Sequence, residues 1–161
     1  MIGKVTGFFG STGSGKTTRL NQIAEEYSDK YKISYAFQDN RLLPDLSVIR
    51  NISLPLENFV VKKNAEEIAE KWIKAFDLSL QKNCKTKVLS GGEAQRVNLA
   101  RAFAWNGDIF LLDEPFSSQD EKHKDIIKKL IKELIAQKKT LIVVSHNKQD
   151  LIDLNCNIVE F

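Results

Sequence analysis

The chain has 161 residues, 42% of them hydrophobic, and is therefore long enough to fold as one globular domain around its own core. Its net charge of +3 is too small to indicate a nucleic-acid-binding surface, and most lysines lie between apolar residues on predicted helices, as on a solvated helix face. No run approaches the ~18 apolar residues that span a bilayer, and the isolated Cys84 and Cys156 fit a reducing cytosol, so we expect a cytoplasmic protein that does not insert into a membrane.

The predicted elements begin with an apolar strand over residues 5–9, followed by a glycine-rich loop and a helix over residues 18–27. Four more apolar runs predict buried strands over residues 33–37, 109–112, 141–144 and 157–161. Helical patterns separate most of these strands, which is typical of a parallel sheet covered on both faces. We therefore predict an α/β fold with a parallel sheet core flanked by helices.

Between residues 38 and 90 the strand-like runs disappear. Residues 44–89 are predicted to form a mostly helical lobe inserted in a sheet core of residues 1–43 and 90–161, the whole being one domain. In the lobe, a helix over residues 64–76 has an apolar stripe, and Asn64 with Glu67 resembles a capping box at its start. Trp72 and Phe76 are expected to form the small apolar centre of the lobe. A further amphipathic helix is predicted over residues 122–137.

The loop after the first strand reads GSTGSGKTT and satisfies the pattern G-x-x-x-x-G-K-[ST]. In such a loop, backbone N–H groups surround phosphate oxygens, Lys16 reaches the β- and γ-phosphates, and the Thr17 hydroxyl binds Mg²⁺. The helix that follows directs the positive end of its dipole at the phosphates. The sequence therefore predicts a P-loop NTPase whose nucleotide is bound by Gly10, Ser11, Thr12, Gly13, Ser14, Gly15, Lys16, Thr17 and Thr18.

Polar side chains follow three of the other predicted strands. Asp113 and Glu114 come directly after the strand over residues 109–112, at the edge where open parallel sheets bind ligands. Asp113 is expected to hold Mg²⁺ through water, and Glu114 to polarise the attacking water. His146 follows the strand over residues 141–144 and is a candidate to bind the γ-phosphate or orient that water. Gln38 ends the strand over residues 33–37 and is a candidate metal ligand.

Taken in order, the motifs resemble those of the ATP-binding-cassette (ABC) ATPases over nearly the whole chain. In this comparison GSTGSGKTT corresponds to Walker A, Gln38 to the Q-loop, LSGGEAQR to the signature, FLLDEP to Walker B, SSQD at residues 117–120 to the D-loop, and His146 to the switch histidine. The run FQDNRLLPDLSVIRNI is similar to importer ATPases, such as those for nitrate, sulphonate or taurine uptake. The resemblance implies ATP and Mg²⁺ as cofactors, with catalytic roles for Glu114, His146 and Lys16 and metal contacts from Thr17, Gln38 and Asp113.

The signature also has a local explanation, because Ser90 and Glu93 form an S-x-x-E capping box at the start of a helix. The resemblance implies that Ser90, Gly91 and Gly92 bind the γ-phosphate of a nucleotide held by a second copy, in a head-to-tail homodimer. The family commonly has glutamine where this chain has Glu93. We expect a carboxylate so close to a triphosphate to weaken closure of the dimer.

The implied cycle sandwiches two ATP molecules between the subunits, and hydrolysis reopens the dimer. In a transporter this movement drives a membrane-spanning permease, whose cytoplasmic helix docks between Gln38 and the lobe at the inner face of the cell membrane. Two other functions stay open. One is a soluble ABC-type ATPase switch, although the usual tandem cassettes or long coiled coils do not occur here. The other is a weakly hydrolysing nucleotide-binding module.

Departures in length from the family pattern affect the expected recognition of the base. Nine residues precede Gly10, and the segment between Lys16 and Gln38 is short, so a reduced antiparallel β-subdomain is expected, without the aromatic ring that stacks on adenine. The chain also stops soon after its last strand, without the C-terminal extension common in importers. We therefore expect only a modest preference for ATP over GTP, and equilibrium binding that strongly discriminates against GTP would contradict this.

Overall fold

Five parallel strands carry the fold in a computed structural model that describes residues 3–161. They are β1 (Val5–Phe9), β2 (Ile33–Ala36), β3 (Ile109–Asp113), β4 (Thr140–Ser145) and β5 (Asn157–Glu160), in the spatial order β2-β3-β4-β1-β5. All neighbouring pairs are parallel. The α/β class and the five predicted strands are confirmed. Within the described residues outside the named strands, antiparallel pairing is limited to one isolated bridge between Ser47 and Lys85.

Side chains alternate between the two faces of the sheet, because successive residues of a strand point in opposite directions. In β3, Ile109 and Leu111 pack on one face with Leu20 and Ile23 of α1 (Lys16–Tyr27). Phe110 and Leu112 belong to the larger apolar cluster on the other face. β3 and β4 are buried along their whole length. This double burial explains why both strands are continuous apolar runs in the sequence.

The remaining helices cover the second face and build the lobe. They are α2 (Val48–Ser53), α3 (Lys62–Ala75), α4 (Gly91–Trp105), α5 (Glu121–Ala136) and α6 (Lys148–Asp153), and three short 3₁₀ turns lie at Leu54–Asn58, Ser79–Gln81 and Thr86–Val88. The mostly helical character of residues 44–89 is confirmed. The helix predicted over residues 122–137 is also confirmed, with each end one residue earlier.

The predicted capping box at Asn64 is wrong. The backbone N–H of Ala65 already bonds to the carbonyl oxygen of Val61, and α3 begins at Lys62 with no side-chain cap. Asn64 is therefore inside the first turn and exposed. A helix that starts at Lys62 has Ala65 and Ala69, both fully buried, on its inner face. Core packing rather than a side-chain cap therefore determines where α3 starts.

Aromatic rings join the lobe to the sheet. Phe103 of α4 has its ring centroid 5.2 Å from both Trp72 and Phe76 of the lobe and 5.6 Å from Phe110 of β3. Trp72 and Phe76 do lie at the lobe centre, but the lobe has no separate core, because these rings belong to a cluster that continues to the sheet. The lobe and the sheet are therefore expected to unfold together.

No helix within residues 3–161 is both long and apolar enough to cross a membrane.

Replacing Phe103 by alanine is expected to lower the free energy of unfolding by about 3–5 kcal/mol, because the ring is 1% exposed and its loss leaves a cavity between lobe and sheet. Urea denaturation followed by circular dichroism measures this. Phe59→Ala is the matched control, since Phe59 is 67% exposed and the same deletion should cost less than about 1 kcal/mol. Equal effects of the two substitutions would contradict the proposed role of Phe103.

Candidate nucleotide-binding site

The glycine-rich loop connects the end of β1 to the start of α1. Gly13 and Gly15 have φ angles of 83° and 95°, which only glycine adopts without strain. The loop curls around the Lys16 side chain, which is 7% exposed and donates hydrogen bonds to the carbonyl oxygens of Gly10 at 2.8 Å and Ser11 at 2.6 Å. The loop thus brings an ammonium group and the first N–H groups of α1 together, which is an arrangement that binds phosphates.

Strand register brings the other predicted residues to this loop. Val144 of β4 pairs with Phe8 of β1 on one side and with Asp113 of β3 on the other. The carboxyl ends of the three strands therefore lie side by side, at the edge where parallel sheets bind ligands. A cleft of about 170 Å³ lies there, lined by Thr12, Gly13, Gly15, Lys16, Thr17, Thr18, Gln38, Asp113, Glu114 and Val144.

Asp113 is the buried acid of the cleft, with 1% of its surface exposed. Its Oδ2 accepts a hydrogen bond of 2.7 Å from the Thr17 hydroxyl, whereas its Oδ1 is buried without a hydrogen-bond partner in the structure. Burial is the main effect that raises the pKa of the Asp113 carboxyl, and the Thr17 hydrogen bond opposes it. A buried carboxylate oxygen without a partner beside a hydroxyl is a suitable set of donors for Mg²⁺.

The predicted metal ligands thus fit the ion in part. Thr17 and Asp113 are in contact, and Gln38 lines the same cleft from a turn two residues beyond β2, rather than at the strand end as predicted. Within residues 3–161 no group of three or more His, Cys, Asp or Glu side chains is placed to hold a metal. A site of Asp113, Thr17 and Gln38 contains only one side chain of these types.

Glu114 and His146 are in direct contact. The Nδ1 of His146 lies 2.8 Å from the Oε2 of Glu114, the imidazole being exposed and the carboxylate mostly buried. Glu114 has a φ of 52°, uncommon for a residue with a side chain, and its N–H bonds to the carbonyl oxygen of Val144. The Nε2 of Gln95 donates to the carbonyl oxygen of Glu114 at 3.2 Å. These contacts fix the carboxylate at the rim of the cleft, as a general base requires.

The signature residues lie at the start of α4 and do not line this cleft. The predicted capping box is confirmed, since Ser90 Oγ accepts from the N–H of Glu93 and the Glu93 carboxylate accepts from the N–H of Ser90. Ser90 and Gly91 are exposed. Gly92 passes so close to the D-loop that a Cβ there would be 2.5 Å from the carbonyl oxygen of Ser118. Only glycine allows this approach of helix and loop.

Two residues that sequence analysis missed hold the Gln38 segment. Arg101 donates to the carbonyl oxygens of Asn40 at 2.6 Å and Arg41 at 2.8 Å, two consecutive residues with positive φ. Asn98, fully buried, donates to the carbonyl oxygen of Phe37 at 2.7 Å. With Gln95, these residues form a polar row at every third position of α4. The spacing of three residues between these polar side chains was the signal available in the sequence.

The D-loop is fastened to the lobe by contacts that were not predicted either. Arg96 donates to the carbonyl oxygen of Phe76 and to Gln119 of the D-loop. His123 lies 2.8 Å from Asp120, which caps α5, and 3.5 Å from Asp77 at the end of the lobe helix. The charged sequence around His123 is typical of solvated surface and gave no indication of this bridge.

The chain is similar in sequence to a known family and to several curated proteins. The family model for the ABC transporter matches residues 2–117. The chain is 35% identical to the glucose import ATP-binding protein GlcV of Saccharolobus solfataricus, over 92% of this chain and 49% of GlcV. It is 32% identical to the aliphatic sulfonates import ATP-binding protein SsuB 1 of Paracoccus denitrificans, over 93% of this chain and 64% of that protein. The chain thus spans about half to two thirds of the length of these relatives.

Solved structures match equally well. The dimeric structure of MJ0796, described as a bacterial ABC transporter cassette, superposes with a TM-score of 0.90 at 29% identity, covering 100% of this chain and 82% of that one. A post-hydrolysis structure of the same cassette, bound to ADP and Pi, gives the same values. The chain belongs to the ABC transporter family of ATP-binding cassettes.

Asp113→Asn is expected to raise the melting temperature at pH 7 without nucleotide. A raised pKa in the folded state means that folding favours the protonated acid, so stability falls as pH rises from about 4 through the folded-state pKa. Asparagine carries no ionisable group at this position, so the stability of the variant should not fall over this pH range for this reason. Mg²⁺ added to ATP should further stabilise the wild type but not the variant. Calorimetric scans from pH 4 to 8 test this, and a lower melting temperature of the variant at pH 7 would contradict it.

Arg101→Gln is expected to raise the Mg²⁺ concentration needed for half-maximal turnover, because the Gln38 segment loses two charge-assisted hydrogen bonds. The substitution should also cost about 1.5–3 kcal/mol of stability. Arg101→Lys keeps the charge but loses the planar guanidinium group. Its Mg²⁺ requirement and its stability should therefore lie between those of the wild type and of Arg101→Gln. A purely structural role would lower the unfolding free energy and leave the Mg²⁺ requirement of the folded protein unchanged, which a metal titration at low temperature distinguishes.

Proposed function

We propose that this chain binds ATP with Mg²⁺ and hydrolyses it to ADP and phosphate, as the ATP-binding subunit of an ABC transporter. The observation that carries the proposal is the contact of 2.8 Å between Glu114 and His146 at the rim of the cleft formed by the glycine-rich loop and Asp113. A phosphate-binding loop alone binds nucleotide. A carboxylate held at the rim of the same cleft adds a base for the attacking water.

Each residue of the cleft has a role in this reaction. The loop N–H groups and Lys16 bind the β- and γ-phosphates, with the ammonium group exchanging the carbonyl oxygens of Gly10 and Ser11 for phosphate oxygens. Asp113, Thr17 and Gln38 would hold Mg²⁺, which neutralises charge on the β- and γ-phosphates when bound. Glu114 accepts a proton from the attacking water, and His146 keeps the carboxylate in position and reaches toward the γ-phosphate.

The active form we propose is a head-to-tail homodimer. Ser90, Gly91 and Gly92 are exposed or half-buried at the N-terminus of α4, where free N–H groups and the helix dipole favour an anion, yet they do not line the cleft of their own chain. A second copy, related by a twofold axis, would bring its nucleotide to them. The dimeric assembly of the similar cassette MJ0796 supports this arrangement.

The proposed membrane partner is a permease whose cytoplasmic helix docks beside the Gln38 segment. An apolar groove of about 320 Å³ lies there, between the edge strand β2 and the lobe, lined by Ile33, Tyr35, Phe37, Pro55, Arg101, Ala102 and Trp105. Phe59, 67% exposed, packs its ring against Trp105 at the same place. Because Arg101 both lines the groove and holds the Gln38 segment, a helix in the groove would be coupled to the nucleotide.

The cellular setting follows from this partner. The subunit would lie in the cytoplasm, peripheral to the inner face of the membrane, in a system that we propose to be an importer like those named for GlcV and SsuB 1. Sugar and sulphonate systems match at similar identity, because in this arrangement the solute contacts the membrane subunits rather than the ATPase. Co-purification with a multi-span permease would separate this function from a soluble ATPase switch.

Glu114→Gln tests the assignment of the base. We expect kcat to fall about 10²- to 10⁴-fold while ATP affinity is retained, because the amide is nearly isosteric but does not accept a proton. Phosphate release and equilibrium binding of a fluorescent ATP analogue measure the two quantities. The exposed Glu67→Gln is the matched control and should turn over at the wild-type rate. Unchanged turnover of Glu114→Gln would exclude Glu114 as the base, and turnover too slow to measure in the wild type would favour the passive nucleotide-binding module.

A further inference from the structure

Glu93 controls the hydroxyl group of Ser90. Its Oε2 accepts two hydrogen bonds from Ser90, one from the backbone N–H at 2.8 Å and one from the side-chain hydroxyl at 2.9 Å. The hydroxyl oxygen in turn accepts from the N–H of Glu93 at 3.3 Å. Because a serine hydroxyl carries a single hydrogen, this hydrogen is committed to the carboxylate.

The other carboxylate oxygen is also bound. Oε1 of Glu93 accepts from the side-chain amide of Gln81 at 2.7 Å, which ties the start of α4 to the lobe turn at Ser79–Gln81. The backbone hydrogen bond from Ser90 is the largest of the effects that lower the pKa of Glu93. Glu93 therefore carries a full negative charge at neutral pH, held in place on both of its oxygens.

We infer that Glu93 is a positioning residue that weakens ATP-driven closure of the dimer, by withholding the Ser90 hydroxyl hydrogen from the nucleotide of the partner subunit. The inference rests on the proposed function, in which Ser90 meets the γ-phosphate bound by a second copy. To donate to that phosphate, the Ser90 hydroxyl has to break its hydrogen bond to the Glu93 carboxylate. One charged acceptor then replaces another, so the exchange contributes little free energy to dimer closure. The Glu93 charge then lies one hydroxyl group away from a triphosphate and repels it.

A glutamine at this position keeps the cap and removes the charge. Its amide oxygen still accepts from the Ser90 N–H, as in the S/T-x-x-E/Q capping box, while the neutral acceptor competes less for the hydroxyl hydrogen. The effect of Glu93 on dimer closure can thus be separated from its effect on the stability of the subunit. The carboxylate stabilises the isolated subunit by capping α4 and bonding Gln81, and it opposes the assembly in which hydrolysis takes place.

The experiment measures ATP-driven dimerisation by sedimentation equilibrium, in a Glu114→Gln background that retains bound ATP. Glu93→Gln should tighten the dimer at least about fivefold, the factor for removing one unit charge about 4 Å from a phosphate in water. Raising the salt concentration should strengthen the Glu93 dimer more than the Glu93→Gln dimer, because salt screens the repulsion. ATP affinity of the dilute monomer should be equal in both, since Ser90 does not line its own cleft.

Three further variants separate charge from capping. Glu67→Gln removes an exposed charge from the lobe helix and should leave dimer affinity unchanged. Glu93→Ala removes both charge and cap, so its melting temperature should fall below that of Glu93→Gln. Glu93→Asp keeps the charge and should not tighten the dimer.

Two outcomes would overturn the inference, and they are distinct. If the Glu114→Gln protein forms an ATP-dependent dimer whose affinity Glu93→Gln leaves unchanged or lowers, Glu93 does not oppose closure, and the proposed shared site stands. If no ATP-dependent dimer forms in any variant, the proposed homodimer itself fails, and the role of Glu93 fails with it.

Discussion

The 2.7 Å hydrogen bond from the Thr17 hydroxyl to the Asp113 carboxylate joins segments that are 96 residues apart in the chain. It connects the first turn of α1 to the end of β3, so the phosphate loop and the acidic strand end share one fixed geometry. The carboxylate is buried, and its second oxygen has no partner in the structure. Burying a charge in this way costs stability unless a cation arrives. The buried Asp113 carboxylate therefore favours the binding of a cation and lowers the stability of the fold without one.

The second constraint is α4, whose two ends belong to different parts of the site. Its N-terminus carries the signature, while Gln95, Asn98 and Arg101 along its length bond to the Glu114 carbonyl and the Gln38 segment. From Gln95 to Ala104 the helix is largely buried between lobe and sheet. A helix packed on both sides moves as a rigid unit. Displacing the N-terminus of α4 would therefore also shift Glu114, the proposed base, and the Gln38 segment of the same chain.

Short-range patterns in the sequence were enough to predict the sheet and half of the site. Apolar runs identified every strand, and the glycine-rich loop identified the phosphate site, because both depend on neighbouring residues alone. The start of α3 was predicted wrongly, since the burial of Ala65 is a long-range effect. The roles of Asn98 and Arg101 were missed for the same reason, because their partners are backbone carbonyls of a loop about 60 residues away. The contact between Glu114 and His146 could be predicted only with knowledge of how β3 and β4 pair, which is not encoded in either strand alone.

The backbone of Glu114, the proposed base, is fixed by contacts from two different elements of the fold. A φ of 52° is strained for glutamate, and such strain persists only where surrounding contacts determine the conformation. Here the N–H is held by Val144 and the carbonyl oxygen by Gln95, one from the sheet and one from the signature helix. The strained backbone then directs the carboxylate toward His146. Because one of the two restraints comes from α4, the position of the proposed base depends on the same helix that would present Ser90 to a second subunit in the proposed dimer. Gln95 would then couple dimer assembly to hydrolysis.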